Sequence, residues 1–109
     1  MPTTFAGGVA RLGELNAKIE HHIKANTLDD VHRVAEEMAL VAKKMKELAR
    51  KELKSEQQTE AGRLCNEVAG YYAPIDEAAD AGKKEETEAI YKKLTDAIAQ
   101  LHGLAGPIK

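Results

Sequence analysis

Four histidines, one cysteine and a scatter of carboxylates are the side chains in this sequence that could do chemistry. His21 and His22 end the first amphipathic stretch, His32 stands near the start of the second, and His102 lies near the end of the last. Imidazole suits zinc, copper and nickel. His21, His22 and His32, with Glu36, therefore form a candidate site for a divalent transition metal. His32 and Glu36 are one helical turn apart on a common face, an acceptable ligand spacing. Neither a His-Glu-x-x-His pattern nor a Cys-x-x-Cys pair supports the site. His21 and His32 also fall outside the apolar stripes of their helices, and the plainer account is solvated histidines near helix ends.

Cys65 flanks an apolar stripe and reads as a small buried hydrophobe, not a nucleophile. The Glu-x-x-His pattern of di-iron bundles occurs nowhere, and no pair of carboxylates points inward. The sequence therefore reads as non-enzymatic.

These residues must be positioned by helices. The stretch Thr27–Leu53 carries Val31, Val34, Met38, Val41, Met45 and Leu48 in alternating steps of three and four, with Ala35, Ala42 and Ala49 beside them. That period specifies a long amphipathic helix, with Thr27 as its expected N-cap and Asp29 and Asp30 favouring its positive end. Before it, a helix from about Gly8 to Ala25 shows the stripe Val9, Leu12, Asn16, Ile19 and Ile23, flanked by Leu15 and His22. Residues 1–8 read as frayed or loosely docked. Gly13 weakens this helix by roughly 1 kcal/mol relative to alanine unless close packing offsets the loss.

After the break at Lys54-Ser55, Ser55 and Gln58 suggest a capping box. A third helix then places Leu64, Val68, Tyr71, Ile75 and Ala78 inward, with a kink expected between Gly70 and Pro74. Gly82 is the expected left-handed cap. A fourth helix starts near Lys83 or Lys84, with Ile90, Leu94, Ala97, Ile98, Leu101 and Ala105 inside, and Gly103, Gly106 and Pro107 stopping it. Short links force antiparallel neighbours. The expected fold is all-α: one antiparallel up-down-up-down four-helix bundle domain over residues 1–109.

Composition narrows the partners. Sixteen basic and eighteen acidic residues give a net charge of −2, and aromatics make up 4% of the chain. A nucleic-acid binder would need a basic face or stacking platforms. No apolar run is long enough for a membrane span. MPTTFAGG lacks the basic and apolar regions of a signal peptide. The expected compartment is periplasmic if a signal peptide has been removed, and otherwise cytoplasmic. The expected ligand is a metal ion, a protein partner or a second copy docked on a bundle face.

Two resemblances add cofactor readings. The segment GKKEETEAIYKKLTDAIAQLH resembles the last helix of cytochrome b562, the soluble haem bundle related to cytochrome c-prime. Gly82-Lys83, Glu86, Ala89, Leu94 and His102 carry the similarity, and Ile75-Asp76-Glu77-Ala78 is similar three residues out of register. The resemblance implies the bundle fold, and a haem b site for electron transfer or gas sensing with His102 as axial ligand. Leu12 stands where the family has its methionine ligand, and no Cys-x-x-Cys-His is present for covalent attachment. Separately, His21 and Lys24 are similar to the His-x-x-Lys-Gly pattern of histidine phosphotransfer domains, with Ala25 in place of glycine. That likeness implies phosphorylation of His21.

Overall fold

Each apolar stripe found in the sequence becomes one helical arm. The computed structural model of the protein describes residues 2–105. We number its helices α1 (Phe5–Ala25), α2 (Val31–Glu52), α3 (Ser55–Gly70), α4 (Tyr72–Asp80) and α5 (Lys84–Ala105). α3 and α4 are two halves of one arm, so four arms account for the described residues, among which there is no strand. At 1.5 Å per residue α2 is about 33 Å long, so it runs along the 41 Å axis of a body only 23 by 21 Å across. The arms therefore lie lengthwise, as in a helical bundle.

α2 holds the centre of the core. All six residues of its seam are buried, as are Ala35, Ala42 and Ala49. It packs on α1 along one side and on α3 and α4 along the other, while α5 closes the bundle against α1, α3 and α4. Polar pairs mark how the arms align. Asn16 donates to the Thr95 hydroxyl at 2.8 Å, and Tyr91 donates to Glu20 at 3.0 Å, along the α1–α5 seam. Arg11 donates to Glu37 between α1 and α2, and Lys46 to Asn66 between α2 and α3. Asn16 is 7% exposed, and its Oδ1 has no hydrogen-bond partner among the described residues.

The helix ends depart from the expected ones in informative ways. α1 begins three residues early. Thr4 is its N-cap, accepting from the Gly7 N–H at 3.0 Å. Phe5, expected to be loosely held, is 1% exposed, and its N–H donates to the Glu52 carboxylate at 3.0 Å. Thr27 does not cap α2. Asn26 takes the left-handed conformation (φ 61°) that ends α1, and a 3-10 turn over Leu28–Asp30 then leads into Val31. The expected Ser55–Gln58 box does not form: the Lys54 N–H donates to Gln57 Oε1 at 3.4 Å, while Gln58 instead reaches the Leu53 carbonyl at 2.8 Å.

The helix is interrupted at Tyr71, within the Gly70–Pro74 stretch where a kink is expected. Pro74 falls in the first turn of α4, where a missing N–H leaves no bond unmade. Tyr71, placed inside by its spacing, is only half-buried. Gly82 has φ +71°, the left-handed cap expected of it. Gly103 does not stop α5, which continues to Ala105; Gly106 and Pro107 lie outside the described residues.

Two glycines in α1 respond oppositely to a methyl group. A Cβ on Gly13 meets nothing within 4 Å, so Gly13→Ala should stabilise by about 1 kcal/mol through helix propensity. A Cβ on Gly8 would overlap Met45 Cγ and lie 2.7 Å from its Sδ. Met45 is fully enclosed, so this methyl overpacks the core. Gly8→Ala should destabilise by about 1 kcal/mol after the propensity gain is subtracted. Urea melts of the two variants check the pair, and a shift in the same direction for both would contradict the packing at Gly8.

Candidate functional site

One surface cluster that draws polar side chains from two arms is built around His32. It stands in the first turn of α2, one residue after the buried Val31, which turns its ring to the flank facing α4. There Asp76 Oδ1 lies 2.7 Å from His32 Nδ1. An ionised carboxylate only accepts, so Nδ1 carries the proton and donates it. Glu36 Oε2 lies 3.5 Å from the other ring nitrogen, Nε2. The Tyr72 hydroxyl is 3.5 Å from Nδ1, and its ring stands beside the imidazole at a centroid distance of 5.8 Å. Asp76 holds Nδ1 at the shorter distance, so Tyr72 acts mainly as a wall.

The electrostatics follow from this arrangement. The hydrogen bond to Asp76 raises the His32 pKa above its ordinary value. Partial desolvation works against it, and the charges of Asp76, Glu36 and Asp80 reinforce it. The Tyr72 phenol is raised too, first by desolvation and then by the same three carboxylates. The His32 side chain stays 44% exposed and that of Asp76 25%, so this is an open surface dyad. Its hydrogen bonds involve no serine, threonine or cysteine that His32 could activate.

The other sequence candidates are only partly brought together. His32 meets Glu36, and the His21 and His22 rings meet edge to face at 5.4 Å. The two pairs do not form one site: among the described residues no group of three or more histidine, cysteine or acidic side chains converges to hold a metal ion. Around His32 the reason is geometric, because Asp76 and Glu36 face different nitrogens of one ring. His22 Nδ1 lies 2.9 Å from the Thr27 hydroxyl, and His21 is exposed. Lys24, the partner in the phosphotransfer pattern, lies 3.8 Å from Glu20.

The haem candidates do not share a pocket. Leu12 has no exposure and is enclosed by core side chains, while His102 is exposed at the surface. A porphyrin needs an open apolar slot between its two axial positions, and a sealed leucine opposite a solvated histidine does not fit that need. Cys65 is 1% exposed, and burial pushes its thiol up to about 11, far from a reactive thiolate.

Asp76 and Tyr72 were not among the sequence candidates. They lie on another helix, 44 and 40 residues from His32. The available signal is a reflection: folding the chain back at the Lys54–Ser55 break sets His32 opposite Asp76 and Glu77.

Comparisons with known protein families, with curated proteins and with solved structures find no match to this chain.

Proposed function

We propose that the chain is a small non-enzymatic binding protein built as an up-down-up-down four-helix bundle, and that it engages a protein partner through the outer α2–α4 face. The observation that carries this reading is the His32–Asp76–Tyr72–Glu36 cluster, where two arms present a half-exposed aromatic surface ringed by carboxylates. Asp80 adds to the same negative field. Such a surface complements a lysine- or arginine-bearing segment, whose cation can pair with acids and lie against the Tyr72 ring.

The topology is supported by residue pairings that run in opposite directions. Position 16 aligns with 95 and 20 with 91, while 32 aligns with 76 and 46 with 66. The first and third links also line one cleft together, through Asn26, Thr27, Asp80 and Gly82. Conformity to the cytochrome b562 pattern would stand on the Gly82–His102 likeness. Adding haem is its direct control, since a Soret band lost in His102→Ala would revive that reading.

The expected result with a lysine-rich helical peptide is a set of NMR amide shifts centred on the first turns of α2 and on α4. Raising salt from 0.05 to 0.5 M should weaken binding strongly, because the contacts are exposed charges. The double substitution Glu36→Gln with Asp76→Asn should remove most of the response. Shifts elsewhere, or no shifts at millimolar peptide, would count against the proposal.

A further inference from the structure

We propose that His32 is a proton-operated latch between α4 and α2, closed by acidification through the neutral range and loosened as the proton leaves. The inference concerns the protein alone and stands whether or not a partner binds this face.

α4 is the arm segment with the least to hold it. It has nine residues, with a break at Tyr71 before it and the Ala81–Lys83 link after it. Its buried residues are Ile75, Ala78 and Ala79, and only Ile75 is large. Apolar burial scales with area, so a polar contact at the rim is a larger share of what docks α4 than it would be for α2.

The chemistry of the ring supplies the switch. As imidazolium, His32 donates from both nitrogens and bridges Asp76 on α4 to Glu36 on α2. The neutral ring keeps Nδ1–H toward Asp76, but Nε2 then turns a lone pair toward Glu36 at 3.5 Å. Within α2 the Glu36 contact turns from attraction to repulsion, while across the α2–α4 seam the bond to Asp76, the one that holds α4, loses its charge assistance. The groups facing the ring are Asp76, Asp80 and Tyr72 from α4 and Glu36 from α2, so the charges that act on the proton favour it.

The sign follows from linkage. Asp76 raises the folded-state pKa of His32 above the ordinary value of 6.5. The extra stability is complete below about pH 6.5, the unfolded value, and is lost as pH rises through the higher folded value.

Amide hydrogen exchange of the full chain at pH 6 and pH 8, corrected for intrinsic rates, tests the latch. Protection across Ile75–Asp80 should fall by about two- to fivefold relative to α2 and α5, the range expected of an exposed ion pair. His32→Gln retains a neutral donor to Asp76, and Asp76→Asn retains the shape. Both variants should show α4 protection that does not change with pH in this way. A wild-type change equal in all helices, the same change in His32→Gln, or a His32 ring titrating at or below pH 6.5 would overturn the proposal.

Discussion

Phe5→Ala is expected to lower the unfolding free energy by about 3 kcal/mol, the low end for a buried phenylalanine. The low end applies because Phe5 opens the first helix, and a terminal turn can fray to relieve part of a cavity. The ring is nonetheless 1% exposed, and the same residue donates its N–H to Glu52 at the far end of α2. It therefore closes the core from below while its backbone joins two helix ends. For a domain of this size the loss corresponds to about 12 °C in melting temperature. Urea unfolding measures it directly, and Glu52→Gln separates ring from backbone. Glu52 is exposed, so its substitution should cost under about 1 kcal/mol. A Phe5→Ala loss as small as that would mean the ring is not part of the core.

Leu64→Ala is expected to cost a similar 3 kcal/mol or somewhat more. The inner face of α3 is made of Ala61, Leu64, Cys65 and Val68. Leu64 is the one large side chain that α3 encloses completely. Small neighbours cannot expand to fill the space a truncated leucine leaves, so the cavity should persist. Cys65 offers a local readout. Its thiol is sealed in and held near 11, so a thiol reagent reaches it only when the arm opens. Labelling of native protein should accelerate at least tenfold in Leu64→Ala if the loss appears as local opening. An unchanged rate together with an unchanged urea midpoint would contradict the packing assigned to α3.

Where the period of apolar residues ran long, the sequence was enough. The α2 seam from Val31 to Leu48 is buried at every position, and Asn16 is in the α1 stripe as its spacing required. Burial at a 3.6-residue period is a property of one helix alone. The ends were less legible, because capping is decided by backbone angles that several residue types can accommodate. Thr27 has the right chemistry for an N-cap, yet the left-handed Asn26 before it sends the chain into a 3-10 turn. Phe5 continues the α1 stripe one turn before Val9, but the Pro-, Thr- and Gly-containing residues around it mask the helix start that Thr4 sets. The His32 cluster shows the same limit. Its Glu36 half is a within-helix spacing and was found, whereas its Asp76 half needs two arms in register.

That register has a cost attached to Asn16. A core lined with Leu, Ile, Val and Ala would accept a helix shifted by one turn nearly as well as the native alignment, since one aliphatic knob replaces another. The amide of Asn16 cannot be exchanged so cheaply. In place, its N–H reaches Thr95 while its carbonyl goes without a partner. Slide α1 along α5 by a turn, about 5.4 Å, and the donor is stranded as well, adding about 1–3 kcal/mol for a second unmet group. The half-satisfied amide thus gives up some stability in the native alignment and should make a one-turn slide of α1 along α5 less favourable still.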